Sequence, residues 1–311
     1  MGSAGEHPGA AVARPDGSRS KLAAVVVSAR PKQWLKNLLV FAAPAAAAVV
    51  GRPVTFGRTA GAVAAFCIAS SGVYLVNDAL DAESDRQHPV KSRRPVAAGE
   101  LSPSTALRLG VLLIASSIAG SIPLGGFALA GVLAAYGILT LGYSLRLKRV
   151  PVVELLAVSA GFVLRAIAGG VAAKIPLSPW FLVVACFGSL FVVVGKRTAE
   201  FAELGSLRAV HRRTLGWYRL AWLNVARWLS ELTTVCAYLG WAVARSGSIG
   251  GRLNGVFILL SVIPFALIVL LAERAITSGR GGAPEELALR DRALQIVGIA
   301  WGVLLAVALA A

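Results

Sequence analysis

Apolar residues along the chain gather into long runs separated by short charged segments. Crossing the hydrocarbon core of a bilayer takes about 20 mostly apolar helical residues. Scanned at that length, the chain gives runs near 37–51, 59–77, 106–122, 126–145, 152–173, 180–195, 221–243, 254–272 and 293–310. The pattern predicts an all-α polytopic membrane protein of nine transmembrane helices with cytoplasmic cap loops. Residues 22–29 are apolar but too short to span, and they run into Arg30-Pro31-Lys32. A helix lying in the interface fits them. The first residues, rich in Gly, Ala, Pro, Arg and Ser, predict a disordered tail over 1–20, with 21–311 a single transmembrane domain. The first run lies well inside the chain and lacks a small-residue cleavage site, so it reads as a retained helix. Glu6 stands where myristoylation wants Ser or Thr.

Composition agrees with this picture. Hydrophobic residues make up 57% of the chain and charged residues 15%, against about 25% charged in soluble domains. An ordinary soluble domain and a nucleic-acid-binding chain are both excluded. The 31 Lys and Arg against 15 Asp and Glu must then be placed by topology. With the N-terminus inside, 23 basic residues fall in inner segments and five in outer loops, while Arg108, Arg165 and Arg227 sit at or within helices. That asymmetry puts the N-terminus and the polar chemistry on the cytoplasmic side of the cell membrane. The acids agree, since none falls in an expected outer loop. A transporter needs polar groups along a route through the bilayer, so this one-sidedness favours an enzyme or receptor working at the cytoplasmic surface. Cys67, Cys186 and Cys236 lie inside apolar runs and suggest neither a disulfide nor a zinc site.

The segment after the second run carries Asn77, Asp78, Asp81 and Asp85, followed by Lys91, Arg93 and Arg94. Asp78, Asp81 and Asp85, at i, i+3 and i+7, share one face of a helix. Three crowded carboxylates repel unless a cation neutralises them. Oxygen-only ligands beside basic residues suit Mg²⁺ shared with a phosphate-bearing substrate. The plainer alternative is a solvated acidic helix end flanked by juxtamembrane bases.

Five of the seven lysines, Lys32, Lys36, Lys91, Lys148 and Lys196, lie near inner helix ends, where a compact ammonium suits phosphate. For Lys32 and Arg149 topology alone is sufficient reason. Lys196-Arg197 serve phosphate or anchor a helix; Tyr143 belongs to an interfacial belt or to the site. Glu154 and Arg165, eleven residues apart, project from one face of the fifth run. Intramembrane ionisable groups are functional by default, so the preferred roles are acceptance from a substrate hydroxyl by Glu154 and phosphate or leaving-group contact by Arg165, with structural pairing as the alternative. Arg227 and Glu231, at i and i+4, read as a structural pair. His88 caps a turn or faces phosphate, and no Ser or Cys is placed for nucleophilic chemistry with either His88 or His211.

Asn77-Asp78-x-x-Asp81-x-x-x-Asp85 at the inner end of the second of nine membrane helices resembles the first aspartate-rich motif of the UbiA superfamily of intramembrane prenyltransferases, over residues 30–311. In that family the motif holds Mg²⁺ against the donor diphosphate, and a second Asp-rich motif follows the fourth helix. Here that segment is Tyr143-Ser144-Leu145-Arg146-Leu147-Lys148-Arg149, with Glu154 beyond it. Arg30-Pro31-Lys32-Gln33-Trp34-Leu35-Lys36-Asn37, Asp85-Arg86-x-His88-Pro89, Leu164-Arg165-Ala166-Ile167-Ala168-Gly169-Gly170, Gly195-Lys196-Arg197 and Pro284-Glu285-Glu286-Leu287-Ala288-Leu289-Arg290-Asp291-Arg292 resemble the phosphoribosyltransferase branch of mycobacteria and their relatives. The resemblance implies 5-phosphoribosyl 1-diphosphate as donor, decaprenyl or another polyprenyl phosphate as acceptor, Mg²⁺ as cofactor and a place in cell-wall arabinan synthesis. Asp78, Asp81 and Asp85 are then the metal ligands, and Asp78, Asp81 and Glu154 the catalytic group. Lys36, Asn77, Lys91, Arg94, Tyr143, Lys148, Arg165, Lys196 and Arg197 are the substrate contacts. Self-association is left open. The alternatives are a prenyltransferase acting on a quinone- or porphyrin-type acceptor and a non-enzymatic transporter of anionic metabolites or lipids.

Overall fold

The structure is a computed structural model that describes residues 19–204, 213–247, 252–279, 287 and 289–309. Most of the expected tail, 1–18, lies outside the described residues. Helix α1, Lys21–Ala29, starts where the Ser20 hydroxyl accepts from Ala23 N and ends at Arg30, whose φ is 53°. It is the short helix expected before the first apolar run. The chain continues as a 3-10 segment, Pro31–Phe41, and a short α2, Ala42–Ala46. The first expected crossing, 37–51, is therefore no single α-helix. Pro44, lacking an N–H, sits inside it, and Ala48 turns the chain with φ 57°.

Helix α3, Pro53–Leu80, opens on a proline at its first position. It is followed by the five-residue α4, Ala82–Arg86, and a 3-10 turn, Lys91–Arg93. Ser102 caps α5, Pro103–Leu145, by accepting from Thr105 N. The α5 stretch holds Pro123, and its backbone leaves helical values at Gly125 and at Gly126, with φ 69° and ψ −167°. Only glycine occupies that region readily. A Cβ at Gly137 would lie 3.7 Å from Ile114, although 23 residues of straight helix span about 34 Å. The chain therefore doubles back at Gly125-Gly126 into two antiparallel arms, matching the separate runs 106–122 and 126–145.

Helix α6, Val153–Ala173, and α7, Pro179–Leu204, come next. A 3-10 turn at Arg213–Trp217 leads into α8, Leu220–Ser246. Helices α9, Arg252–Leu260, and α10, Val262–Thr277, are interrupted at Ser261, and α11 spans Arg292–Leu309. No strand occurs among the described residues. Among them six helical stretches are long and apolar enough to cross a membrane. Helix α8 is as long as these but carries Arg227 and Glu231 internally. This is a membrane protein by the length and composition of its helices.

The main core joins Phe66 of α3, Leu129, Leu133 and Tyr136 of α5, and Ala168 of α6 around Val40 of the 3-10 segment. Glycines permit the closest approaches. A Cβ at Gly72 would sit 2.6 Å from the Gly110 carbonyl, and one at Gly169 would sit 1.9 Å from the Val40 carbonyl. Small residues at such crossings let helix backbones meet. The expected i, i+4 pair in α8 is corrected: Arg227 bonds Glu273 of α10 and Asn224, three residues away, rather than Glu231. A buried guanidinium gains more from a carboxylate fixed on a neighbouring helix than from one further along its own surface.

Candidate active site

One end of the bundle collects the helix ends that carry the acids. Helix α3 stops at Leu80, Asp81 adopts φ −93° and ψ 2°, and α4 restarts at Ala82. The three aspartates consequently do not run along one unbroken helix, as the i, i+3, i+7 spacing predicts. The break still lets Asp78 and Asp85 share a partner. Arg94 Nη1 lies 3.3 Å from Asp78 Oδ1 and 2.7 Å from Asp85 Oδ2. Both carboxylates are buried, while Arg94 is partly exposed. Arg30 adds a second guanidinium, with Nη2 at 2.5 Å from Asp78 Oδ1, and lies 4.7 Å over the Tyr74 ring. His88 caps the following turn, its Nδ1 accepting from Val90 N and Lys91 N.

Lys148, on the 3-10 turn Leu147–Arg149, reaches across to Asp81, Nζ to Oδ2 being 3.5 Å. That ion pair joins the two segments singled out in the sequence. Just beyond, Val152 has φ 65° and ψ −51°, and Val153 N donates to the Pro151 carbonyl at 2.8 Å. This is a γ-turn of the strained kind, costing on the order of 1–3 kcal/mol for a β-branched residue. It aims the first turn of α6 so that Glu154 is fully buried. Glu154 Oε1 accepts from Thr214 Oγ1 at 3.0 Å and Tyr218 Oη at 3.3 Å, with Arg197 Nε at 3.3 Å. Arg197 also holds Glu200, and Tyr143 lies within its electrostatic reach. Burial pushes the Tyr218 hydroxyl up to about 12, so it stays protonated.

Arg165 takes other partners. Its three nitrogens donate to Asn37 Oδ1 at 2.8 Å, the Gly161 carbonyl at 2.7 Å and Tyr136 Oη at 2.9 Å. Its guanidinium also lies 4.7 Å over the Tyr136 ring. This binds α6 to the 3-10 segment that carries Lys36. Lys91 is exposed beside Arg94, and Lys196 is half-buried beside Arg197. Neither makes an ion pair among the described residues. Arg30, Thr214 and Tyr218 joined the site without being assigned to it from the sequence. Arg30 lay in a quoted block, whereas the partners of Thr214 and Tyr218 are some 60 residues away in sequence.

The donors suit Mg²⁺ in kind: Asp78, Asp81 and Asp85 offer oxygen, and the buried Asn77 Oδ1 has no hydrogen-bond partner. Among the described residues no three acids, histidines or cysteines converge on one point. Mg²⁺ does not require that, since one or two carboxylates plus substrate phosphates commonly complete its octahedron.

Residues 38–297 match the UbiA prenyltransferase family. The chain belongs to that family. It is 42% identical over 280 residues to a decaprenyl-phosphate phosphoribosyltransferase of Corynebacterium glutamicum, covering 89% of this chain and 84% of the relative. It is also 42% identical over 284 residues to the Mycobacterium tuberculosis protein of the same name, covering 90% and 92%. Among solved structures, a UbiA homolog from Archaeoglobus fulgidus bound to GPP and Mg²⁺ superposes with a TM-score of 0.62 at 14% identity, over 93% of this chain and all of that one. At that identity the likeness speaks for a shared UbiA fold.

Proposed function

We propose that this enzyme transfers the 5-phosphoribosyl group of 5-phosphoribosyl 1-diphosphate to decaprenyl phosphate, releasing diphosphate, for cell-wall arabinan synthesis. The observation that carries the reading is the Lys148–Asp81 pair. Where the family places a second acidic cluster, this chain sets Arg146, Lys148 and Arg149 against the first motif. A sugar donor bears a 5-phosphate remote from its diphosphate and uses direct cationic contact there; a prenyl diphosphate offers only hydrocarbon. The relatives' names agree with this donor and acceptor.

In this reading Asp78 and Asp81, with Asp85 and Asn77 beside them, hold Mg²⁺, whose chemistry when bound is to neutralise charge on the departing diphosphate. Arg94, Lys91 and Lys36 contact phosphate. Lys148 and Arg197 complete the cationic wall, with Lys196 and Tyr143 beside them. Glu154 accepts a ribose hydroxyl. Arg165 serves through its hold on the Lys36-Asn37 segment. At the anomeric carbon the bond to the diphosphate oxygen breaks, its electron pair leaving with the diphosphate. A lone pair on the acceptor phosphate forms the new C–O bond. That phosphate is already anionic at neutral pH, so positioning supplies much of the rate and no strong base is required.

The topology we assign is nine crossings within one domain over 21–311, with both motifs cytoplasmic. In a background free of Cys67, Cys186 and Cys236, Arg52→Cys and Arg93→Cys are expected to label from opposite sides of the membrane. Labelling from one side would remove that assignment. Donor choice tests the function. Purified protein offered phosphoribosyl diphosphate or a prenyl diphosphate, with polyprenyl phosphate present, is expected to consume the sugar donor. Transfer of a prenyl group instead would leave the family intact and overturn the substrate.

A further inference from the structure

The entry to α6 combines a strained backbone with a buried carboxylate, and one hydroxyl touches both. Tyr218 Oη accepts from Val152 N at 2.9 Å, the amide of the residue with positive φ. The same oxygen lies 3.3 Å from Glu154 Oε1 and donates to it. A phenol has one donor and accepting lone pairs, so one protonated group meets both needs at once. Its ring stacks on Trp222, centroids 5.7 Å apart and planes within 9°, which fixes the ring independently of the hydroxyl. Thr214, one turn earlier, donates to the same carboxylate oxygen at 3.0 Å. The turns Leu147–Arg149 and Arg213–Trp217 also pack against each other, joining this corner to the Lys148–Asp81 pair.

A β-branched residue at positive φ persists only where surrounding structure over-determines it. Here Val152 is itself exposed, so burial of its side chain cannot be the cause. What holds it is the Tyr218 hydroxyl on its amide, together with the Pro151 carbonyl bonded to Val153 N. Helix α6 is thereby started at the angle that carries Glu154 inward.

We propose that Tyr218 is a positioning residue: its hydroxyl ties the Val152 turn to the Glu154 carboxylate and, with Thr214, fixes where that carboxylate meets the ribose of the donor. The inference rests on the functional reading above, in which Glu154 accepts a ribose hydroxyl. Tyr218 acts through Glu154, so its removal costs nothing further once Glu154 can no longer accept.

The test is a double-mutant cycle on the full-length purified protein, with phosphoribosyl diphosphate and polyprenyl phosphate as substrates. Tyr218→Phe keeps the ring and its stack, and is expected to lower kcat/KM for the donor roughly tenfold, as loss of a hydrogen bond to a charged group does. The KM for the lipid acceptor is expected to stay unchanged. In a Glu154→Leu background, where no acceptor remains for the hydroxyl, the same substitution should add less than twofold. Thr214→Val should behave likewise, with Thr214→Ser restoring the donor parameters. If Tyr218→Phe lowers the thermal midpoint, the Thr214 series decides by the same cycle. Equal losses in both backgrounds, or a loss falling equally on donor and acceptor, would overturn the positioning role while leaving the function intact. A wild-type enzyme that ignores phosphoribosyl diphosphate overturns the functional reading, and this inference with it.

Discussion

The half of the molecule that holds the site and the half that ends the chain are built differently. In α3, 61% of the most apolar stretch is buried; in α11 the corresponding share is 6%. Glycine crossings bring α3 onto α5 and α6 onto the 3-10 segment, at distances that leave no room for a methyl group. Helix α11 packs on α9 and α10, and a Cβ added at Gly298 or Gly302 would meet nothing within 4 Å. Catalysis among several phosphate groups needs charges held to fractions of an ångström, and backbone-to-backbone packing supplies that stiffness. A lipid-facing helix needs only to remain apolar.

The largest expected effect sets the two halves directly against each other. Gly169→Ala places a Cβ 1.9 Å from the Val40 carbonyl, and no side-chain rearrangement can relieve a clash with backbone. We expect several kcal/mol of destabilisation and little folded protein by size-exclusion chromatography in detergent. Gly298→Ala should elute as wild type. A folded, fully active Gly169→Ala would break the comparison.

Next come the carboxylates of the close-packed half. Asp78→Ala or Asp81→Ala should leave insertion and folding intact but lower turnover about a hundredfold or more, since the metal-diphosphate site proposed above would lose a ligand. Near-normal turnover of both variants at saturating Mg²⁺ would remove the metal assignment. Lys148→Ala should raise the donor KM roughly tenfold and leave the acceptor KM alone. The effect is moderate because Lys148 and Asp81 are each about a third exposed, so solvent screens the pair. Arginine should rescue only in part, its planar fork differing from an ammonium.

The smallest effect belongs to the last helix. Asp291 caps α11 by accepting from Ala293 N and Leu294 N. Asp291→Ala should cost about 1 kcal/mol of helix stability, read as faster hydrogen exchange in α11. Turnover should stay within about twofold. A turnover loss comparable to that of Asp78→Ala would make the chain's end part of the catalytic machinery.

Much of this was legible in the chain itself. Apolar runs located the six helical stretches that are long and apolar enough to cross a membrane among the described residues, because bilayer thickness fixes their length, and Pro123, Gly125 and Gly126 mark where the two arms of α5 separate. Asp78, Asp81 and Asp85 stood out as acids beside bases at a helix end. Other features were not legible. The run 37–51 has the composition of a crossing but folds as a 3-10 segment and a short helix, packed on α3 and α6. Arg227 had a suitable acid one turn away, yet it bonds Glu273, 46 residues distant.

The sequence by itself determined that this is a helical membrane protein, because hydropathy acts residue by residue and needs no knowledge of neighbours. It also determined which residue types could meet phosphate and metal. The tertiary structure decided which of them meet one another. Arg30 and Arg94 converge on Asp78, Lys148 bridges to Asp81, Tyr218 and Thr214 secure Glu154, and Arg165 is drawn to Asn37 and Tyr136. Each of these pairs joins different secondary-structure elements, and their partners are chosen by the crossing of helices, which no local spacing encodes.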